Sequence, residues 1–170
     1  MNYNPSTIAR VADINYGLRV DTGSVLGPAL STANPTRLTL FNVVGGRVLV
    51  RQIIAEATET FVGAGCLIKL AFTPTAGAQV DLTAVSLDAG SGAWAAGQRL
   101  ILGAAIGGTT TFGAIGASVA KVVDPYVLGL IGVGGAILTH ATTAAFTDGT
   151  AIFSIWYVPL DDGSYITAAV

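Results

Sequence analysis

The pattern of apolar and polar residues is most typical of strands between Arg37 and Phe72, and this segment predicts the centre of the fold. It is dominated by Val, Ile, Leu, Thr and Phe, the residue types that suit a pleated, half-buried surface. Its three extended runs are Arg37–Val43, Arg47–Thr60 and Cys66–Phe72, and we expect Gly45-Gly46 and Gly63-Ala-Gly65 to form the turns between them. The segment therefore predicts three consecutive strands of an all-β domain.

The middle and third runs differ in how their apolar residues are spaced. In the third run, apolar residues alternate with other residues, which places Cys66, Ile68, Leu70 and Phe72 on one face and Leu67, Lys69, Ala71 and Thr73 on the other. In the middle run, apolar and polar residues do not alternate, and an extended strand places Val48, Val50 and Ile54 on one face and Leu49, Ile53, Ala55 and Ala57 on the other. Apolar residues on both faces indicate a strand that is covered on both sides, by a second sheet, a neighbouring subunit or the chain's own arm.

The remainder of the chain after this segment reads as further short strands separated by turn residues. The turns Thr73–Gly77, Thr147–Gly149 and Asp161–Gly163 are rich in Pro, Gly and Asp. About ten short strands at regular spacing are typical of a sandwich, a jelly roll or a barrel. We expect residues 36–170 to form one jelly-roll-like antiparallel β-sandwich, with Ala89–Ala96 as the only weak helix candidate.

Residues 1–35 have a different pattern and predict an extended N-terminal arm. Prolines at positions 5, 28 and 35 interrupt them, and apolar periodicity is weak apart from a short strand candidate at Ile14–Val20. Proline disfavours helix at and before its own position. An arm of this length without its own core is expected to lie over its own domain or over a neighbour.

The composition points to a surface that is short of charge. Hydrophobic residues make up 52% of the chain and charged residues 11%, against about 25% charged in an ordinary soluble domain. Either Thr, Ser, Gly and Asn solvate the surface or assembly buries much of it, and we expect both. A net charge of -2 without basic clusters disfavours nucleic acid as a partner. No secretory signal is evident at the N-terminus, and the apolar stretches are too rich in glycine or too short for a membrane helix.

The sequence gives little support to catalysis or metal binding. The single cysteine, Cys66, is expected to be a buried and inert thiol, and the single histidine, His140, ends an apolar strand without a nucleophile motif elsewhere. One cysteine and one histidine cannot form a zinc site, and there is no calcium-loop pattern. Glu56 and Glu59 are three residues apart, so an unbroken strand would point them to opposite faces. We therefore expect no enzyme activity, no catalytic residues, no metal and no cofactor.

Aromatic residues provide the remaining candidate for chemistry. Trp94 lies in a Gly/Ala loop and is the better candidate for an exposed contact with a sugar or a protein, since aromatic faces suit sugar rings. Trp156 lies within the apolar strand Ala151–Pro159, so core packing is favoured for it.

Several of these segments together resemble small structural virion proteins of tailed bacteriophages. The segments are Leu40–Val43, Gly46–Arg51, Ile53–Thr60, Thr73–Gly77 and Trp156–Gly163. They are similar in particular to the jelly-roll capsid decoration, or cement, proteins. This resemblance implies a β-jelly roll that forms homo-oligomers, most often trimers, on the exterior of the virion head. It also implies a partner, the major capsid protein, whose neighbouring subunits such a protein clamps together.

The contact residues that we expect for this role lie in the arm and in two loops. They are Tyr3, Ile8, Arg10, Tyr16 and Arg19 in the arm, Trp94, and the Gly/Thr loop from Gly107 to Phe112. Three other functions stay open: a glycan-binding adhesion module, a tail or fibre subunit, and a hydrolase whose carboxylates the fold would have to assemble.

Overall fold

The computed structural model describes residues 17–30, 37–63, 67–82, 87–88, 94–102, 112–115, 130–141 and 144–170. In these ranges the chain forms eleven strands and the short helix α1 (Gly27–Leu30). The strands are β1 (Leu18–Asp21), β2 (Val25–Leu26), β3 (Arg37–Val62), β4 (Leu67–Pro74), β5 (Val80–Asp81), β6 (Leu87–Asp88), β7 (Arg99–Leu102), β8 (Phe112–Ile115), β9 (Leu130–Ala141), β10 (Asp148–Pro159) and β11 (Tyr165–Ala168). Their pairings are antiparallel, which confirms the all-β antiparallel prediction.

The eleven strands form one continuous sheet, and the long strand β3 is shared by two parts of it. Its first half pairs with β11 on one edge and with β9 on the other, and β9 continues to β4, β5 and β6; we call this group sheet B. Its second half pairs with β10 on one edge and with β7 on the other. β10 continues to β1 and β2, and β7 continues to β8; we call this group sheet A. Both sheets contribute to one hydrophobic cluster, which gives a sandwich-like arrangement around a single core.

β3 runs through Gly45 and Gly46 without a turn, so the predicted division of its residues into two strands is wrong. The pairing with β9 slips between Val43 and Arg47, which marks an irregularity in the ladder at the two glycines. Gly45 has a φ of +80°, a conformation that favours glycine, and a Cβ there would meet the carbonyl oxygen of Gly163. The glycines therefore bend a continuous strand and let the β10–β11 turn approach it.

A second irregularity overturns the predicted faces of the middle run. Trp156 pairs with Gln52 and Tyr157 pairs with Val50, so Arg51 is the extra residue of a β-bulge. An extra residue reverses the alternation beyond it. Ile53, Ala55 and Ala57 consequently join Val48 and Val50 in the core, and Ile54 lies on the outer face, opposite to the prediction.

The core lies between the inner faces of the two sheets. Sheet B contributes Ile68, Leu70 and Phe72 from β4, which confirms the face predicted for that run. Sheet A contributes Phe153 and Ile155 from β10. Burial of a large apolar side chain stabilises a fold by about 1.5–3 kcal/mol, so this cluster is the main source of stability.

Residues 17–30, which fall within the predicted arm, form part of sheet A. β1 pairs with β10 from Leu18 opposite Tyr157 to Asp21 opposite Ser154. The Gly23 N–H then donates to the carbonyl oxygen of Val170, at 3.0 Å, which connects this segment to the end of the chain. Residues 17–30 are therefore hydrogen-bonded into the sheet of the domain that was predicted to begin at residue 36.

Candidate functional site

The structure describes three of the candidate contact residues. Arg19 lies on β1, Trp94 lies before β7, and Phe112 begins β8, where only the backbone is described. Tyr3, Ile8, Arg10, Tyr16 and Gly107 lie outside the described residues.

Trp94 is fully buried, so its predicted role as an exposed contact is wrong. Its indole ring stacks on Phe61 with a centroid distance of 4.2 Å and an interplanar angle of 12°. Phe153 approaches the same indole edge-on at 6.4 Å, and Phe146 approaches Phe61 edge-on at 5.0 Å. We call Phe61, Trp94, Phe146 and Phe153 the aromatic cluster.

The backbone around Trp94 explains why a Gly/Ala loop buries its aromatic residue. The carbonyl oxygen of Trp94 accepts the Phe61 N–H, and the carbonyl oxygen of Gln98 accepts the Ala57 N–H, both at 3.0 Å. The segment therefore follows the edge of β3 beyond β7. The Trp94 Nε1–H donates to the carbonyl oxygen of Gln98 at 3.3 Å, which satisfies the one polar group of the buried ring.

Trp156, for which core packing was favoured, lies on the outer face of sheet A and is only half-buried. Its neighbours on β10, Ile155 and Tyr157, point into the core, so strict alternation directs Trp156 outward. The guanidinium of Arg19 lies 5.0 Å from the centroid of the indole ring, within the range of a cation–π contact. This pairing arises because Arg19 is opposite Trp156 in the β1–β10 ladder.

Apolar residues around Trp156 form a strip on this outer face, which we call the tryptophan face: Trp156, Ile152 and Val158 on β10, and Leu49 and Ile54 on β3. All five are half-buried. Ser154, the remaining outward residue of β10 between Ile152 and Trp156, is small and buried, and its Oγ accepts from Arg19 at 3.3 Å. The strip therefore has an aromatic centre and aliphatic ends.

Ion pairs border the tryptophan face on both sides. On β1, the Arg19 Nε–H donates to Asp21 at 2.7 Å. Between β3 and β7, the Arg99 Nε–H donates to Glu56 at 2.7 Å. Partial burial acts to raise the pKa of Asp21, but the hydrogen bonds from Arg19 and Ser154 outweigh it and lower that pKa overall. An apolar, aromatic centre inside a polar border is the usual anatomy of a protein contact surface.

A separate ion pair stabilises the turn after β10. The Arg47 guanidinium holds Asp161 through three short contacts, of which Nη2 to Oδ1 is 2.6 Å, and the Arg47 backbone N–H donates to Oδ2 at 2.7 Å. These hydrogen bonds, first from the side chain and then from the backbone, lower the pKa of Asp161 to about 2. The pair is therefore retained until the pH falls towards that value. The Ser164 hydroxyl also donates to the carbonyl oxygen of Arg47 or Asp161, and we interpret the whole arrangement as structural.

The other residues considered for chemistry are not assembled into a site in the described part of the chain. His140 pairs with Arg37 and Lys69 in the ladder, Glu56 bonds Arg99, and Cys66 lies outside the described residues. Across the described ranges, no group of three metal-ligating side chains comes together. The same ranges contain no helix with the length and apolar character needed to cross a membrane.

The sequence carries part of the signal for the tryptophan face. Ala151–Pro159 predicts a strand, and Ile14–Val20, which contains Arg19, is a short strand candidate. The pairing between these two strands, which the sequence does not reveal, was the missing information.

Comparison with known proteins adds no assignment: no protein-family model, no curated protein and no solved structure matches the chain.

Proposed function

We propose that the chain is a non-enzymatic structural virion protein, a capsid decoration or cement protein with jelly-roll connectivity. It forms homo-oligomers on the outer head surface and stabilises contacts between major capsid protein subunits. Such a protein strengthens a shell by adding buried area across the joints between subunits, and it needs no chemistry to do so.

The observation that supports this role is a pair of exposed apolar clusters at opposite ends of β10. The first cluster follows the end of β10 and contains Val44, Leu160 and Tyr165, which are 37%, 43% and 46% exposed. The second lies around its start and consists of Leu26 on the β2 edge and Val62 on the β3 edge, which are 59% and 49% exposed.

Their separation suits a protein that bridges two subunits. A strand of β10's length spans roughly 40 Å at about 3.4 Å per residue. A cement protein must contact more than one capsid subunit, and two apolar clusters this far apart could each contact a different one.

Binding to heads tests the proposal directly. Heads of the phage that encodes this chain, prepared without it, are mixed with the purified protein, sedimented and imaged by cryo-electron microscopy. We expect the protein to co-sediment, to appear as regular density at joints between capsid subunits and to raise the temperature at which the heads open. A protein that stays in the supernatant at every concentration contradicts the proposal.

Two matched variants test whether the first cluster takes part in binding to heads. The double variant Val44→Ser/Tyr165→Ser is expected to weaken head binding by about tenfold or more, because burial of two apolar side chains is lost. Thr167→Ala changes an exposed polar residue on the same strand, and we expect it to bind as the unmodified chain does.

A glycan-binding adhesion module is the second candidate, and the burial of Trp94 moves its support to Trp156. The indole of Trp156 has hydrogen-bonding side chains beside it, those of Asp21, Gln52 and Ser154. A glycan panel that changes tryptophan emission would favour this function, and unchanged emission together with head binding would remove it.

A further inference from the structure

The tryptophan face is an apolar strip on the outer side of sheet A, formed by described residues of β3 and β10, and sheet B differs from it. In sheet B, the outward residues Ala71 and Leu138 are 0% and 5% exposed, so the chain itself covers them. The residues of the tryptophan face are all still partly accessible in the single chain. If a contact is made through the outer side of a sheet, the observations therefore favour sheet A.

The charges that border the tryptophan face indicate the chemistry of its partner. Each of the two edges carries one arginine and one carboxylate. One edge has Arg19 and Asp21, both on β1, and the other has Glu56 on β3 and Arg99 on β7. Each edge is neutral overall, so a strongly charged partner gains nothing from it. The best complement is a flat apolar surface with both charge signs at both edges, and a second copy of the same face has this composition.

We propose that the tryptophan face is a self-association surface at which a second copy of this chain docks face to face. A two-fold axis parallel to the strands places β1 of one copy opposite β7 of the other. The Arg19–Asp21 edge of each copy then lies on the same side of the interface as the Glu56–Arg99 edge of its partner, displaced by two to four residues along the strands. The two Trp156 rings meet near the centre. Sheets that pack face to face lie about 10 Å apart, which leaves room for side chains of this size.

The size of the surface determines how strong the contact is. Three inter-strand spacings of about 4.8 Å by seven residues at about 3.4 Å give a footprint of roughly 300–350 Å². A standard interface buries about 800 Å² on each partner, so this one belongs with weak and transient contacts. The inference is thus a concentration-dependent dimer. It does not depend on the virion role, and a stable trimer would require a different, head-to-tail surface.

Mass measurements on the full-length chain test the inference. Sedimentation velocity and light scattering over a wide concentration series should show a mass that rises from one copy towards two. Trp156→Thr keeps a residue that favours strands and should raise the dissociation constant by about tenfold or more. Trp156→Phe should recover part of the affinity. The control is Val170→Thr, which removes an apolar residue that is 45% exposed outside this face, and it should dimerise as the unmodified chain does.

Fluorescence quenching by acrylamide provides the second readout. Because Trp94 is fully buried, quenching reports chiefly on Trp156. We expect quenching to decrease as concentration and mass increase. Any of four results overturns the inference: a monomer at all concentrations with Trp156 accessible, a monomer with Trp156 shielded by its own chain, a strict trimer, or equal effects of Trp156→Thr and Val170→Thr.

Discussion

The two tryptophans of this chain occupy opposite environments. Trp94 is 0% exposed and stacks within the aromatic cluster, whereas Trp156 lies on the outside of sheet A beneath an arginine. Their sequence contexts favoured the reverse, because Trp94 has small, loop-forming neighbours and Trp156 has apolar ones. The difference shows that the side of a strand a residue occupies, and the edge a loop follows, determine burial more than local composition does.

The largest effect is expected when each tryptophan is truncated and the two losses are compared. Trp94→Ala leaves a cavity against Phe61 and Phe153, so the free energy of unfolding should fall by about 3–5 kcal/mol. Trp156→Ala removes a half-buried ring and its contact with Arg19, so the fall should be about 1 kcal/mol. Urea unfolding followed by far-UV circular dichroism measures both. Trp94→Phe keeps a stacked ring and serves as the control, and equal losses for the two alanine variants would refute the comparison.

A substitution at Gly149 should reproduce part of the loss in unfolding free energy that is expected for Trp94→Ala. Gly149 has a φ of +109°, and a Cβ at this position would lie 2.8 Å from Cα and Cγ of Phe61. Gly149→Ala should therefore displace Phe61 and weaken its stacking on Trp94, with a loss of about 1–3 kcal/mol in unfolding free energy.

Gly163→Ala is the control for Gly149→Ala. Its φ is +75°, but a Cβ there has no neighbour within 4 Å, so only the conformational cost remains. Denaturant unfolding of the two variants should give the larger loss for Gly149→Ala, and a larger loss for Gly163→Ala would show that crowding of Phe61 is not the cause.

Quenching distinguishes the two tryptophans without changing stability greatly. In Trp94→Phe, the remaining emission comes from Trp156 and should be strongly quenched by acrylamide at low protein concentration. In Trp156→Phe, the remaining emission comes from Trp94 and should be nearly insensitive to acrylamide while the protein is folded. Similar quenching constants for the two variants would contradict the assignment of Trp94 to the core.

The smallest effect concerns acid titration on the outer face. The pKa of Asp21 is lowered in the folded state, so the charged carboxylate contributes stability above its ordinary pKa, and this contribution is lost as the pH falls below that value. Protonation should release Arg19 to move relative to Trp156, and the emission of Trp156 in Trp94→Phe should change at acidic pH. Asp21→Asn should abolish this change, and an unaltered titration in Asp21→Asn would assign it to another group.

Much of the fold followed from alternation and turn residues. The strand face that contains Ile68, Leu70 and Phe72 was predicted correctly, and so was the turn at Asp161–Gly163. These features depend on residues adjacent in the sequence. The continuity of β3 was not predicted, because a Gly-Gly pair such as Gly45-Gly46 occurs both in turns and at irregular positions within a strand.

The contact surface was harder to predict, because it depends on pairing between distant strands. Arg19 and Trp156 are 137 positions apart in the printed sequence, and the β1–β10 register alone brings them together. The bulge at Arg51 had a similar consequence, since one extra residue separates Ile54 from the face that it was predicted to share with Val48 and Val50. Periodicity within a run cannot reveal a slip that its partner strand imposes.

Because the two halves of β3 pair with different groups of strands, this strand also constrains the order in which the chain can fold during synthesis. The partner strands β7, β9, β10 and β11 all follow β3 in the sequence, and the last of them ends at Ala168. The edge of β3 that pairs with β10 and β11 therefore remains open until the C-terminal strands have left the ribosome. Folding that waits for such distant pairings is slow, and open strand edges favour aggregation in the interval. We therefore expect rapid completion of the chain, or a chaperone that covers this strand, to raise the yield of folded protein.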